Sequence, residues 1–228
     1  MARFVELAPR RGGGHLSLGQ VDEVVAILRR DGLAVLPTET GYMLAARARS
    51  EVATAKVRET KGRTAGKAMH VACSTTAMIA SVAEPSVQAW RAIACWLPGP
   101  VSVVVPAAHG LSPDVVLDGT VGIRMPDAAA TLQIVSALGE PVTATSLNRS
   151  GAGDHALGEP LTLSDAMSWP DEPVAVVRDD LVRVYDQPST LVRILDREVE
   201  ELRPGPVPVS AISESVSRPS YRESSDRT

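Results

Sequence analysis

The chain has 228 residues, of which 44% are hydrophobic, 22% are charged and only 3% are aromatic, and its formal net charge is −4. This length suits one α/β domain with a well-buried core, and the composition is that of an ordinary globular protein. The acidic balance argues against a protein whose main task is to grip DNA or another nucleic-acid backbone, and the scarcity of aromatic residues argues against a platform for base stacking.

The pattern of caps, apolar runs and breakers predicts helices that alternate with strands. Ser17 caps a first helix, and an apolar strand at residues 32–36 ends at Pro37. Further helices are predicted at residues 50–60, 74–82, 86–96, 128–138 and 164–167, and further strands at 68–72, 101–105, 120–125, 142–145, 174–178, 190–194 and 199–203. Because some strands follow each other directly, we expect a single domain with a twisted mixed parallel and antiparallel sheet flanked by helices.

The two ends of the chain differ in composition from the middle. Residues 1–16 are rich in Arg and Gly and predict an irregular lead-in, whereas residues 210–228 are rich in Ser, Arg and Glu and predict a disordered tail. The folded domain is therefore expected to span residues 17–209.

The sequence carries no signal for export, for a membrane span or for a bound metal. Residues 1–14 lack the apolar stretch of a signal peptide, and no window approaches the roughly 18 apolar residues of a transmembrane helix. Cys73 and Cys95 lie far apart, without the spacing of zinc ligands or of a disulfide framework. We expect a cytoplasmic protein with no protein-held metal.

A basic loop follows the second predicted helix. Lys61, Arg63 and Lys67 place three cations within seven residues that also contain Gly62 and Gly66. Cations this close repel each other unless an anion lies between them, and glycines let backbone amides approach that anion. The loop is not a P-loop, because only three residues separate its glycines and an alanine follows the last lysine. The pattern predicts a phosphate site, with a solvated basic loop as the alternative.

Further polar groups stand where predicted strands begin or end. Arg124 ends an apolar strand, where a charge needs a partner or a cleft. Ser146 and Asn148 follow the strand at 142–145 directly, and ligands of α/β sheets bind at that edge. Each of these groups alone is compatible with an ion pair or an ordinary turn. Neither a zinc-protease motif nor a nucleophile elbow accompanies them.

Seven short segments together resemble the YrdC-like family, whose best-known members are threonylcarbamoyl-adenylate synthases. They occur in the family's order over residues 18–207: PTETGY at 37–42, KGRTAGK at 61–67, LPGPVSVVV at 97–105, VGIRMP at 121–126, TSLNRSG at 145–151, PSTLV at 188–192 and LRPG at 202–205. The resemblance implies a basic concave cavity and a reaction of ATP, bicarbonate and L-threonine that yields threonylcarbamoyl-AMP and pyrophosphate. It also implies Mg²⁺ bound with the ATP and a downstream enzyme of tRNA threonylcarbamoyladenosine modification.

The resemblance also implies roles for individual residues. Lys61 and Arg63 would be catalytic, and Thr38, Tyr42 and Ser146 would lie on the threonine side. The ATP side would be formed by Arg63, Lys67, Ala144, Asn148, Ser189 and Arg203.

Two alternatives stay open at the level of sequence. The first is a paralogue that makes a different carbamoyl-adenylate, which is favoured by the bulky Met43, directly after the segment at 37–42, and by Leu147 within the segment at 145–151. The second is a catalytically silent module that binds a nucleotide or RNA in the same cavity.

Overall fold

The computed structural model describes residues 5–8, 14–62, 68–147, 174–179, 184–195 and 198–217. Its strands are β1 (Val5–Leu7), β2 (Leu33–Thr38), β3 (Gly41–Ala45), β4 (His70–Ala72), β5 (Val101–Pro106), β6 (Thr120–Arg124), β7 (Val142–Ser146), β8 (Val174–Val177), β9 (Thr190–Leu195) and β10 (Glu198–Arg203). Its helices are α1 (Leu18–Arg29), α2 (Glu51–Lys61), α3 (Thr76–Ala80), α4 (Val87–Trp96), α5 (Ala129–Leu138) and α6 (Val209–Ser217), with a short 3-10 helix at Pro113–Val115.

The described strands form one mixed sheet in the order β1-β8-β2-β3-β7-β4-β6-β5-β9-β10. The pairs β1–β8, β8–β2, β4–β6 and β5–β9 are parallel, and the other described pairs are antiparallel. This arrangement confirms the predicted mixed α/β sheet. The sequence already indicated it, because strands that follow each other directly can pair antiparallel, whereas parallel pairs need a crossover.

The helices divide between the two faces of the sheet. Apolar residues of α1 and α5 share one buried cluster with alternate residues of β2, β3, β7 and β8. Apolar residues of α2, α3, α4 and α6 share a second cluster with the strand residues that point to the other face of the sheet, such as Val35 of β2 and Leu44 of β3. Side chains alternate between the faces of a strand, so each strand contributes to both layers. Among the described helices, none has the length and apolar character that crossing a membrane requires.

Two predictions about the ends of the chain need correction. Residues 5–7 are not irregular but form β1, which pairs in parallel with β8 at the sheet edge. Residues 210–217 of the predicted tail are not disordered but belong to α6, in which Ile212 and Val216 are buried. Polar residues dominate this segment, but two apolar residues one turn apart are enough to dock a helix that packs against α4. The rest of the predicted tail lies outside the described residues.

The hairpin β2–β3 also differs from the prediction. Pro37 was expected to end the strand, yet β2 continues to Thr38, and Pro37 pairs in register with Tyr42. Proline lacks an amide hydrogen but keeps its carbonyl, which accepts a hydrogen bond from the Thr131 hydroxyl at 2.6 Å. The following strand β3, which no pattern predicted, begins at Gly41 with a φ of 113°. The predicted helix at 164–167 lies outside the described residues.

Candidate active site

Strand register places three of the predicted site residues, Thr38, Ala144 and Ser146, on one face of the sheet, whereas Tyr42 has the opposite parity on β3. Thr38 pairs with Gly41, and Met43, on the same face as Gly41, pairs with Ser146. Ala144 pairs with His70, and Ala72 pairs with Arg124. Since alternate residues share a face, the polar residues on this face include Thr38, Ser146, His70, Arg124 and Ser102, and we call these five residues the polar face.

The hydroxyl of Thr38 organises the turn between β2 and β3. It donates to the carbonyl of Gly41 at 2.5 Å and accepts from the backbone amide of Thr40 at 3.3 Å. Its oxygen also lies 3.2 Å from the hydroxyl oxygen of Thr40. Thr38 is almost fully buried. The predicted threonine-side hydroxyl is therefore held rigidly, because its rotation is fixed by the turn itself.

The neighbouring Glu39 makes a buried ion pair with Arg124. The Arg124 Nη2 donates to Glu39 Oε1 at 2.8 Å, and the side chains are 9% and 3% exposed. The second carboxylate oxygen accepts from the backbone amide of Asp127 at 2.9 Å. The same Nη2 lies 3.3 Å from the Thr40 hydroxyl oxygen. The Arg124 Nε is buried and has no hydrogen-bond partner among the described residues.

Lys61 brings a second cation to this region. It is the last residue of α2 and is 5% exposed, and its Nζ donates to the backbone carbonyl of Ser146 at the end of β7. Gly62 follows in the left-handed conformation, with a φ of 58°, and this turns the chain out of the helix. The structure thus brings Lys61 and Ser146 together, as a shared site requires. Arg63, Lys67 and Asn148 lie outside the described residues.

Ser189 and Arg203 form a separate cluster between β9 and β10. The Arg203 Nε and Nη2 both donate to the Ser189 carbonyl, at 3.2 and 2.9 Å, and Nη2 also donates to its hydroxyl at 3.1 Å. That hydroxyl lies 2.9 Å from the hydroxyl of Ser102 on the polar face. Two of the predicted ATP-side residues are therefore in direct contact, although 14 positions separate them.

Tyr42, predicted on the threonine side, contacts the segment that leaves β8. Its hydroxyl accepts from the backbone amide of Asp179 at 3.1 Å. Further along the same segment, the amides of Val184 and Tyr185 donate to the Glu39 carbonyl at 2.9 and 3.0 Å. The β2–β3 hairpin therefore anchors the connection between β8 and β9 beside the polar face.

Sequence reasoning missed two members of this region. Glu39 was quoted within a motif but given no role, although an acidic residue beside buried hydroxyls is a signal that a cation lies nearby. His70 belongs to no recognisable motif, and only strand register places it on the polar face. Arg124 was noted as needing a partner, and the structure supplies Glu39. Within the described ranges, no three His, Cys, Asp or Glu residues cluster as metal ligands would.

These features define a mixed α/β protein in which one face of the sheet carries a buried arginine, Arg124, and the buried hydroxyls of Thr38 and Ser102. The Sua5/YciO/YrdC family model, described as "Telomere recombination", matches residues 26–205. The chain belongs to this family.

Relatives and solved structures agree with this assignment. The threonylcarbamoyl-AMP synthase of Bacillus subtilis is 32% identical over 136 residues, which are 58% of this chain and 39% of that protein. Sua5 of P. abyssi, complexed with L-threonine, matches with a TM-score of 0.77 at 22% identity over 95% of this chain and 61% of that one. E. coli YciO matches with a TM-score of 0.76 at 19% identity, over 93% of this chain and 100% of that one. The chain thus spans only part of two of these proteins.

Proposed function

We propose that this protein is an L-threonylcarbamoyladenylate synthase. Bicarbonate and the amine of L-threonine would condense to a carbamate with loss of water. A carbamate oxygen would then attack the α-phosphorus of ATP, the bond from that phosphorus to the bridging oxygen would break, and pyrophosphate would leave. The products are threonylcarbamoyl-AMP and pyrophosphate. The support comes from the family, from the B. subtilis relative's name and from the L-threonine complex of P. abyssi Sua5.

The observation that carries the proposal is that two buried cations lie next to residues predicted on the threonine side. The Lys61 ammonium donates to the backbone carbonyl of Ser146. The Arg124 guanidinium contacts Glu39 and Thr40, which directly follow Thr38 in the chain. The attacking carboxylate is already anionic, so the step needs charge neutralisation and alignment rather than a general base. Buried cations suit that task, because electrostatic interactions are stronger where water is excluded.

Each residue has a role in this proposal. Lys61, with Arg63, would neutralise the charge that builds up around the reacting phosphate. Thr38, Tyr42 and Ser146 would hold the amino acid. The nucleotide would be bound by Arg63, Lys67, Ala144, Asn148, Ser189 and Arg203. ATP would enter as its Mg²⁺ complex, with the ion held by the phosphates.

The reactivity of the product implies a second enzyme that uses it. A mixed anhydride of a carbamate and a phosphate is a reactive acyl donor, so a second enzyme must accept it promptly. We propose that this partner transfers the threonylcarbamoyl group to tRNA adenosine and that both reactions occur in the cytoplasm.

A pyrophosphate-release assay tests the proposal. The protein is supplied with MgATP and bicarbonate and with each common amino acid in turn. We expect release with L-threonine, and mass spectrometry should detect threonylcarbamoyl-AMP. If no amino acid gives any release of pyrophosphate, the proposal is overturned in favour of a non-catalytic nucleotide- or RNA-binding module.

A second candidate function is a synthase of a different carbamoyl-adenylate. Met43 favours it, because this bulky side chain stands directly opposite Ser146 in the register of β3 and β7, on the polar face. Release of pyrophosphate with another acceptor, and none with L-threonine, would establish this candidate instead.

A further inference from the structure

The segment 112–114, which lies between β5 and β6 in the chain, is bound along α2. The amide of Ser112 donates to the carbonyl of Ala48, just before the helix, at 3.0 Å. The hydroxyl oxygens of Ser112 and Thr54 lie 2.7 Å apart, and both residues are buried. The segment and the helix are therefore joined both at the start of α2 and along its buried side.

Asp114 contacts the chain on both sides of the basic loop. Its Oδ1 accepts a hydrogen bond from the Nη1 of Arg58, in the last turn of α2, at 2.8 Å. Its backbone carbonyl accepts from the amide of Met69 at 3.0 Å. Its own amide donates to the Ser112 hydroxyl at 3.3 Å, which ties Asp114 itself to α2. Because Arg58 precedes the basic loop and Met69 follows it, Asp114 fixes the separation between the end of α2 and the chain that enters β4.

The contact between Asp114 and Arg58 reaches Lys61 through the end of the helix. Arg58 and Lys61 are three positions apart, so their side chains lie on neighbouring turns on the same side of α2. The amide of Gly62, where the helix ends, donates to the carbonyls of Arg58 and Glu59. The last turn of a helix lacks the hydrogen bonds of a following turn. Contacts such as the one from Arg58 to Asp114 therefore hold this turn, and Lys61 with it, in place.

We propose that Asp114 is a positioning residue, which holds the last turn of α2 through Arg58 and so keeps the Lys61 ammonium beside the end of β7. This inference rests on the proposed function, in which Lys61 neutralises charge at the reacting phosphate. Lys61 is buried and donates to the Ser146 carbonyl, and a displacement of about 1 Å in a group of this kind can lower a rate about a hundredfold. The side chains of Arg58 and Asp114 are 43% and 18% exposed, so the ion pair itself adds little to stability.

Steady-state kinetics of pyrophosphate release test this role. We expect Asp114→Ala to lower kcat about tenfold with the KM of L-threonine within about twofold of the wild type, because the charge that Lys61 neutralises builds up in the transition state. Asp114→Asn keeps an acceptor for Arg58 and should recover most of the rate. Glu200→Ala, which breaks the exposed pair with Arg193, is the control and should behave as the wild type. An unchanged kcat in Asp114→Ala, or a raised KM of L-threonine at normal kcat, would overturn the proposal.

Double-mutant cycles show whether Asp114 acts through Arg58 and Lys61. In the Lys61→Ala background there is no ammonium to position, so Asp114→Ala should lower kcat by less than about twofold further. Arg58→Ala should lower kcat as much as Asp114→Ala does, and the two substitutions together should cost no more than either alone. Equal effects of Asp114→Ala with and without Lys61, or effects of the Arg58 and Asp114 variants that multiply, would show independent action and would overturn the proposal.

Amide hydrogen exchange, followed by nuclear magnetic resonance of the full chain, tests the contact without any activity. The amide of Gly62 caps α2, and the amide of Arg30 likewise caps α1. We expect Asp114→Ala to speed exchange at Gly62 about tenfold and to leave Arg30 within about twofold of the wild type. Unchanged exchange at Gly62, or the same acceleration at both amides, would contradict a local role for Asp114.

The two kinds of experiment separate this inference from the proposed function. If the wild type releases no pyrophosphate with any amino acid, the proposed function fails, and hydrogen exchange still shows whether Asp114 holds the end of α2. If Asp114→Ala does not fold, Arg58→Ala removes the same ion pair from its more exposed side and takes its place in both experiments.

Discussion

The Arg124 guanidinium reaches the Glu39 carboxylate at 2.8 Å, although β6 and β2 are four places apart in the sheet. In a flat sheet, four strand spacings amount to roughly 19 Å, which is more than the two side chains and their hydrogen bond can span. The sheet must therefore coil so that its polar face is concave. The ion pair closes this curve and fixes the distance between the β2–β3 turn and the end of β6.

Removing one member of this pair should cost much of the stability of the protein. Glu39→Ala leaves the Arg124 charge buried without its partner, and we expect a loss of about 3–5 kcal/mol in the free energy of unfolding. Urea titration measures this loss as a lower midpoint concentration with an unchanged m-value. Glu200→Ala, which breaks the exposed pair with Arg193, is the control and should cost less than about 1 kcal/mol. Equal losses in both variants would contradict the structural role of Glu39.

A variant that removes both charges refines this test. Glu39→Met combined with Arg124→Met leaves no uncompensated charge, so the double variant should recover at least half of the stability lost in Glu39→Ala. Its activity should remain low, because the predicted site loses a cation. Recovery of stability without recovery of pyrophosphate release would separate the two roles of Arg124.

Lys61 should matter more for activity than the other described lysine of the same helix. We expect Lys61→Ala to lower kcat/KM for pyrophosphate release about ten- to hundredfold, the equivalent of about 1.5–3 kcal/mol for one charge-assisted contact. Lys56→Ala, in the preceding turns of α2, should stay within twofold of the wild type. Circular dichroism checks that both variants are folded. Full activity of Lys61→Ala would remove Lys61 from the proposed site.

Sequence patterns predicted the strands and helices whose causes are local. The β-branched run at Val101–Pro106 forms β5, and the side chain of Ser17 caps α1 as its position suggested. Strand β3 was missed because the polar residues Glu39 and Thr40 and the following Gly41 indicate a turn, whereas pairing with β2 and β7 makes the segment from Gly41 a strand.

The composition of the site was less predictable than its motifs. The place of Arg124 at the end of an apolar strand indicated that it needs a partner. Its contact with Glu39, however, depends on the coiling of the whole sheet, which no local sequence pattern predicts. His70 joins the polar face only through register with Ala144. Thr38 came from family resemblance alone, whereas Lys61 and Ser146 were also indicated by the basic loop and by the end of a predicted strand. The substrate contacts of all three stay predictions.

Arg203 should contribute to nucleotide affinity through the planar shape of its side chain. Its three hydrogen bonds to Ser189 use two different nitrogens, and a lysine has only one. We therefore expect Arg203→Lys to raise the KM of ATP about tenfold while the KM of L-threonine changes little. Arg193→Lys on the neighbouring strand is the control. A rise in the KM of L-threonine instead would move Ser189 and Arg203 to the amino-acid side.

The two cysteines should differ sharply in reactivity. Burial raises the pKa of the Cys73 thiol to about 12 from an ordinary 9.0, whereas Cys95 is exposed. At pH 8 a thiol reagent should therefore label only Cys95 in the folded protein, and both cysteines in urea. Mass spectrometry of the labelled peptides identifies the sites. Rapid labelling of Cys73 in the folded state would contradict its burial.

The raised pKa of Cys73 also predicts a loss of stability at alkaline pH. Below pH 9 the thiol is protonated in both the folded and the unfolded state, so it makes no difference. Between pH 9 and about 12 only the unfolded state ionises, so stability falls with a slope approaching about 1.4 kcal/mol per pH unit. Cys73→Ala should lack this component when unfolding is followed from pH 8 to pH 10.5. An identical pH dependence in both proteins would show that Cys73 does not contribute.

Gly205, in the last of the family segments, should tolerate no side chain. A Cβ atom there would lie 2.3 Å from the Thr190 amide nitrogen and 2.7 Å from the Pro188 carbonyl oxygen, and backbone atoms at the start of β9 cannot move aside as a flexible side chain can. We expect Gly205→Ala to cost more than about 3 kcal/mol, as severe overpacking does. The strain would also displace Ser189, so the KM of ATP should rise in whatever fraction folds.

Gly19 provides the matched comparison for this glycine. It lies in the first turn of α1 with no atom within 4 Å of a Cβ built there. Gly19→Ala should therefore stabilise the protein slightly, by up to about 1 kcal/mol, because alanine loses less entropy in a helix. Urea titration of both variants measures the contrast. A small effect of Gly205→Ala would mean that the chain between β10 and α6 can shift away from β9, and the predicted coupling of this glycine to the nucleotide side would then be wrong.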